Sequence, residues 1–240
     1  MVNRSNERWR PRGYVRREEF IVRRCKGKVV LHMGFLGETE RPLPERIASV
    51  SAPNSLHSRL AGVSSRVFGT DIAEGAIREL RAAGLSDVFA ADVERMDEDA
   101  FPQGLRFGVV VAGDIIEHLS NPGLMLDNLK RILADDGEII ITTPNAFGLP
   151  KFLRFVVGRF REGADHVQSH SYFTLSHLLA RHGYEVAGSW TSYEERSERA
   201  LRKRPVGNVI FRAGRRLFRW QPRLGGTLIV VARRGADGGN

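Results

Sequence analysis

The sequence predicts an α/β fold of the doubly wound type, a mostly parallel sheet with helices on both faces. Three observations predict it. Short runs rich in β-branched residues alternate with amphipathic helical stretches between residues 29 and 195, the order that βαβ units produce. The runs are apolar without alternation, as strands covered on both faces must be. Glycines and carboxylates gather just after the runs, where the ligand crevice of such a sheet lies. With 240 residues, 42% hydrophobic and 27% charged, the chain can bury a substantial core, and one large domain is expected.

The elements follow in order. The first strand is Lys28 to Met33 (KVVLHM), followed by Gly34 and Gly37. After a long loop, Ser55 to Ala61, with Leu56 and Leu60, reads as the first convincing helix. The second strand, Arg66 to Ile72 (RVFGTDI), ends in Asp71, and a helix carrying Ile77 and Leu80 closes at Gly84. The third strand, Val88 to Val93 (VFAADV), carries Asp92 at its end. The fourth, Phe107 to Ile116 (FGVVVAGDII), brings Gly113 and Asp114, with Glu117 and His118 just beyond. Asn121 caps and Pro122 opens a helix whose Met125, Leu129, Ile132 and Leu133 share one face, with Gly137 after its end. The fifth strand, Glu138 to Thr143 (EIIITT), leads to Pro144 and Asn145. A helix of Leu175, Leu178 and Leu179, closed by Gly183, precedes the sixth strand, Glu185 to Thr191 (EVAGSWT), and Thr227 to Ala232 (TLIVVA) is the last. No internal repeat of solenoid length is present.

The formal net charge of +9 is unevenly spread. Residues 1–28 hold 10 Lys and Arg against 3 acids, residues 196–240 hold 12 against 2, and the stretch between is acidic at −8. Residues 1–27 therefore read as a basic N-terminal arm, loosely packed or mobile over its first 24 residues. Residues 28–234 read as the domain, with a basic insertion at 196–224, and 235–240 as a disordered tail. A single cysteine, Cys25, excludes an internal disulfide framework and an all-cysteine metal cage, and a reducing cytoplasm is the expected setting. No apolar run approaches the roughly 18–20 residues of a membrane span, and the polar, arginine-rich start lacks the apolar stretch of a signal peptide.

The strand ends suggest a ligand. A glycine after the first strand admits a ligand to the backbone. An acid ending the second offers paired acceptors to vicinal ribose hydroxyls, and Asp92 can accept from an adenine amino group. Each alone is equally a surface turn; their order is what carries the reading. A nicotinamide dinucleotide requires a Gly-x-Gly-x-x-Gly turn running straight into a helix. Here Gly37 is followed by Glu38-Thr39-Glu40-Arg41-Pro42-Leu43-Pro44. S-adenosylmethionine, which has no pyrophosphate, tolerates that better.

Val30 to Gly37, Val67 to Ile72, Ala91 to Glu94, Val109 to Pro122, Gly137 to Asn145 and Asp165 to Tyr184 together resemble the successive motifs of class I S-adenosylmethionine-dependent methyltransferases. The resemblance is nearest to ubiquinone-type O-methyltransferases and to methyltransferase domains of natural-product and surface-polysaccharide clusters. It implies a Rossmann-like, seven-stranded sheet whose last strand is antiparallel. It also implies that Gly34 and Phe35 line the methionine part of the cofactor, Asp71 holds the ribose, Asp92 and Val93 contact the adenine, and Gly113 and Asp114 close the other side, with His32, Gly37 and Ile72 as further cofactor-binding candidates. The family commonly has an acid two residues before its first glycine and a second glycine two residues after it. Here those places hold His32 and Leu36.

Methyl transfer from a sulfonium is an in-line displacement, helped when an oxygen acceptor loses its proton to a base or a metal. His118 and His166 are the candidate catalytic residues. Asp114, Glu117, His118 and His166 also resemble the two-acid, two-histidine metal set of small-RNA 3′-terminal 2′-O-methyltransferases, with Asp114 in place of a glutamate. That donor set suits a divalent cation. Three functions are therefore weighed: O-methylation of a small molecule or of a glycan- or lipid-linked intermediate, metal-dependent RNA 2′-O-methylation, and a non-catalytic binding module. In the basic insertion, Arg202-Lys203-Arg204 and five further arginines are interleaved with Val206, Val209, Ile210, Phe211, Leu217, Phe218 and Trp220. It reads as a solvated segment, as a helix over an acceptor pocket or on an anionic membrane surface, or as an RNA contact.

Overall fold

The computed structural model describes residues 8–37, 42–96, 100–159, 163, 165–193 and 205–235. Arg202-Lys203-Arg204, the loop residues Glu38 to Arg41 and the tail beyond Gly235 lie outside the described residues. The apolar runs become seven strands: β1 (Val29–Met33), β2 (Arg66–Asp71), β3 (Val88–Ala90), β4 (Phe107–Gly113), β5 (Leu133–Pro144), β6 (Tyr184–Ser192) and β7 (Thr227–Arg234). They form one sheet in the order β3-β2-β1-β4-β5-β7-β6. β1 pairs in parallel with β2 and β4, β2 with β3, and β4 with β5. The last strand runs antiparallel to both β5 and β6, as expected.

The helices are α1 (Arg17–Cys25), α2 (Leu43–Ser51), α3 (Leu56–Ala61), α4 (Glu74–Ala82), α5 (Pro122–Ile132), α6 (Leu149–Val156), α7 (Tyr172–Arg181) and α8 (Pro205–Trp220). Because successive strand side chains point to opposite faces, each apolar run feeds two cores. Leu31, Val110, Ala112, Ile139, Ile141 and Val230 pack under α5 and α7 through Met125, Leu126, Leu129, Leu175 and Leu179. Val30, Val109, Val111, Ile140, Ile229 and Val231 pack under α1 and α3 through Phe20, Ile21, Cys25 and Leu60. Among the described residues, no helix is long and apolar enough to cross a membrane.

Several expectations need correction. The N-terminal arm is integrated into the fold over its described part. Arg12 and Val15 donate backbone hydrogen bonds to Ser189 and Thr191 of β6, and Trp9 stacks on Tyr172 at 5.3 Å. The arginines of α1 find carboxylates: Arg24 reaches the buried Glu138 at 3.1 Å, and Glu18 pairs with Arg59 of α3. Charge density hid the apolar face made by Phe20, Ile21 and Cys25. Strand β4 stops at Gly113 because Asp114 takes the left-handed conformation, φ 52°, and Ile116–His118 is a 3-10 turn. Strand β3 stops at Ala90, so Asp92 lies just past it. Asn121 gives α5 no side-chain cap; instead the Glu94 carboxylate accepts from the Ser120 and Asn121 amides. Leu133 and Gly137 belong to β5, not to the end of α5. The loop after Gly37 contains α2, unforeseen because Pro44 sits within its first turn, a position proline tolerates.

One packing detail has a measurable signature. His57 of α3 stacks on His32 of β1 at 5.6 Å and lies 4.8 Å from the Phe35 ring. Both imidazoles are buried, and neither Nδ1 has a hydrogen-bond partner among the described residues. Burial lowers the His57 pKa from 6.5 to about 4 and holds His32 well below 6.5. The folded chain thus refuses a proton that the unfolded chain accepts below pH 6.5, so stability is lost as pH falls from 6.5 toward 4. His57→Phe should flatten that slope by on the order of 3 kcal/mol across the window in urea titrations; identical slopes would contradict the assignment. Ile21→Ala should lower the stability by about 2–5 kcal/mol with an unchanged m value if α1 is part of the core. A loss below about 0.5 kcal/mol, the range of a surface substitution, would return α1 to the status of a loose arm.

Candidate active site

The chain leaves the adjacent strands β1 and β4 toward opposite edges of the sheet, which opens a crevice at their carboxyl ends. Gly34 exits β1 at φ 60°, and a Cβ there would lie 2.9 Å from Ile115 Cδ1. Only glycine meets both demands. Gly37, at φ 72°, completes the turn. Asp71 ends β2; its carboxylate accepts from the Ala73 amide at 3.1 Å and faces the buried Arg46 guanidinium of α2 at 3.5 Å. Burial raises its pKa, against the pull of the backbone amides and of Arg46. Ile72 beside it is 67% exposed, an apolar surface at the rim. Asp92 follows β3 and accepts from the Glu94 amide at 2.9 Å.

Gly34, Gly37, Asp71, Ile72, Asp92, Gly113 and Asp114 therefore line up along the carboxyl rim, as the sequence leads one to expect. Phe35 and Val93 are instead taken into the core: Phe35 is buried against Gly69 and α4, and Val93 packs under α5. His32 is buried between β1 and α3, with Leu36 likewise inside. An acid at the His32 position would be buried beside His57; the imidazole that occupies it is held neutral.

Arg17 of α1 crosses the crevice floor. Its guanidinium bonds Thr142 Oγ1 at 3.0 Å through Nε and Asp114 Oδ2 at 2.9 Å through a terminal nitrogen. Thr142 in turn donates to Asp114 Oδ1 at 3.0 Å. A Cβ on Gly113 would come within 2.9 Å of the guanidinium, so that glycine makes room for Arg17. This network fixes the strained turn at Asp114.

Beyond that turn, Glu117 is buried, with the Thr143 hydroxyl facing its carboxylate and no close hydrogen bond to either oxygen among the described residues. Burial first, then the nearby Asp114 carboxylate, push its pKa up to about 8. The Glu117 carbonyl accepts from the Val167 and Gln168 amides at 2.9 and 3.1 Å, and Gln168 Nε2 donates to the Leu119 carbonyl. These bonds fold the loop before α7 back onto the 3-10 turn. They bring His166 to 4.8 Å from His118, ring centre to ring centre and edge on. Donor atoms of Glu117, His118 and His166 all lie within 4.8 Å of one another. Asp114, expected as a fourth member, is not part of that group and is tied to Arg17. His118 Nδ1 sits 3.3 Å from Asp165 Oδ2 and 3.2 Å from its carbonyl. A proton on Nδ1 is thereby satisfied, which leaves Nε2 with the free lone pair.

Arg17, Arg46, His57 and Thr142 were not anticipated. Arg17, Arg46 and His57 come from α1, α2 and α3, outside every strand-end motif, while Thr142 sits near the carboxyl end of β5, inside the Gly137–Asn145 motif, with nothing to single it out. Asn145, foreseen at the end of the fifth strand, is buried and donates to the Gly225 carbonyl at 2.8 Å, a structural tie between β5 and the approach to β7.

The geometry agrees with comparison to known proteins. The methyltransferase domain family matches residues 54–188, more than half of the chain. Among curated proteins none matches the sequence. Among solved structures, the magnesium protoporphyrin IX methyltransferase of Synechocystis PCC 6803, with S-adenosylhomocysteine bound, is 16% identical with a TM-score of 0.54, covering 91% of this chain and 82% of that one. An S-adenosylmethionine-dependent methyltransferase of Mesorhizobium loti is also 16% identical, with a TM-score of 0.52 and 90% and 97% covered. The 1,6-didemethyltoxoflavin-N1-methyltransferase of Burkholderia thailandensis is 15% identical, TM-score 0.52, with 92% and 77% covered. At these identities the likeness is one of fold. Strand order, crevice and family match agree, and the chain belongs to the methyltransferase domain family, with the fold of its S-adenosylmethionine-dependent class I members.

Proposed function

We propose that the protein methylates an oxygen of a small molecule or of a glycan- or lipid-linked intermediate, with S-adenosylmethionine as donor and His118 and His166 at the acceptor. The observation that carries this reading is the convergence of Glu117, His118 and His166 beside the carboxyl end of β4. Bound S-adenosylmethionine supplies an activated methyl on a sulfonium. The chain's residues suit it: Gly34 and Gly37 for close backbone approach, Asp71 for ribose hydroxyls, Ile72 as an apolar surface against the base, and Asp92 for its amino group. Placement accounts for much of the rate, and His118, its Nδ1 proton anchored on Asp165, takes the acceptor proton at Nε2.

A second reading draws on a separate observation. A buried carboxylate next to two imidazoles, with donor atoms within 4.8 Å of one another, is a donor set for a divalent cation, which would replace the base by lowering the acceptor's pKa directly. It goes with the RNA 2′-O-methyltransferase reading, which further requires tight, steeply salt-dependent RNA binding. His118→Ala and His166→Ala should each lower turnover about 10²- to 10⁴-fold while S-adenosylhomocysteine affinity stays within about twofold. Release of S-adenosylhomocysteine from a panel of hydroxyl acceptors measures this. Under the first reading EDTA leaves turnover unchanged; loss with EDTA and recovery with manganese assigns the cluster to a metal. Variants with full turnover would remove both.

A further inference from the structure

Helix α6 contains no buried residue. Phe152, Leu153, Phe155 and Val156 are 52–67% exposed, with Phe147 and Val157 at its ends at 71% and 64%. Such a contiguous apolar surface on a single helix marks an interaction site. Residues 147–159 also carry Lys151, Arg154 and Arg159 and no acid.

The helix is fixed at its N-terminal end. A Cβ on Gly148 would lie 2.9 Å from the Gly225 carbonyl, so the chain is seated directly on the approach to β7. Leu149 joins a small cluster with Tyr193, Leu217, Phe218 and Leu224, and Lys151 Nζ bonds Ser169 Oγ at 2.9 Å. Beyond this mooring Phe152, Leu153, Phe155 and Val156 remain exposed. Leu217 and Phe218 bring the end of α8 alongside, where Arg216 and Arg219 are exposed and Trp220 is 75% exposed.

We propose that α6 docks the protein on an anionic phospholipid bilayer, its Phe, Leu and Val side chains entering the interface and the cations of α6 and the α8 terminus meeting the headgroups. An apolar helix face bordered by Lys and Arg, with an exposed tryptophan beside it, is the chemistry of interfacial binding. Nucleic acid would match the cations but would leave the aliphatic surface uncovered. The docking does not depend on methyl transfer and is tested by binding alone.

The full chain is floated with vesicles of phosphatidylcholine and phosphatidylglycerol, and separately with vesicles of phosphatidylcholine only. The expected result is flotation with the anionic vesicles, weakened by salt and reduced about fivefold by each of Lys151→Gln and Arg154→Gln. Phe152→Ser combined with Phe155→Ser should abolish it, with circular dichroism and S-adenosylhomocysteine binding unchanged. Should that pair unfold, Val156→Ser with Val157→Ser is the substitute. No flotation with anionic vesicles overturns the proposal, as does flotation that these variants leave intact. A dimer that the serine variants dissociate, with no vesicle binding, assigns the face to a second copy and also overturns it.

Discussion

The pairing of β1 with β4 is the constraint on which the rest of the molecule depends. Val30 to Met33 lie in parallel register with Val109 to Ala112, so the two carboxyl ends finish side by side. From there the chain leaves toward opposite edges of the sheet. The Gly34–Gly37 turn and the Asp114–His118 turn therefore face one crevice. The central strands hold this register because they are buried on both faces, where a slip of one residue would exchange the α5/α7 core for the α1/α3 core along the whole strand. What the crevice can bind is decided at the ends of these strands, and what it can do to an acceptor by the turn beyond β4.

Electrostatics around that crevice differ from the family pattern. A family acid is replaced by His32, which burial keeps neutral, while Arg17 lies across Gly113 and neutralises Asp114. The N-terminal helix thereby becomes part of the site's floor. This also reinterprets the basic start of the chain. Arg16, Arg17 and Arg24 are engaged by Glu19, Asp114 and Glu138, so three of the ten cations of residues 1–28 are held in ion pairs within the fold. Exposed cations persist beside apolar side chains near α6 and α8, a different chemistry from a nucleic-acid groove.

The fold was legible because burial on two faces writes runs without polar alternation such as Val29–Met33 and Ile139–Ile141, and Gly84 and Gly183 mark helix ends with their positive φ. The rim residues were legible for the same reason, since each follows its run directly. Strand lengths were not: a left-handed Asp114 has no sequence signature distinct from a strand residue, and neither does a bulge that draws Leu133 and Gly137 into β5. Helix α1 was misread because three arginines dilute its apolar face. The approach of His166 to His118 was foreseen from resemblance only. Its cause, the Glu117 carbonyl receiving two amides from the later loop, is a tertiary contact that spacing cannot reveal. Arg17 and Arg46 were missed because an arginine that pairs across the fold looks, in sequence, like any solvated one.

In the proposed function the crevice between β1 and β4 binds the methyl donor, with Asp71 at the end of β2 as a principal anchor. Calorimetric titration of the full chain with S-adenosylhomocysteine, repeated on Asp71→Ala after its unfolding temperature is confirmed, tests this most directly. Single-site binding by the native chain is expected, with a loss of at least about tenfold in affinity on removing the Asp71 carboxylate, consistent with charge-assisted hydrogen bonds worth about 1.5–3 kcal/mol. No heat from the native chain, or equal affinity in the folded variant, would contradict it.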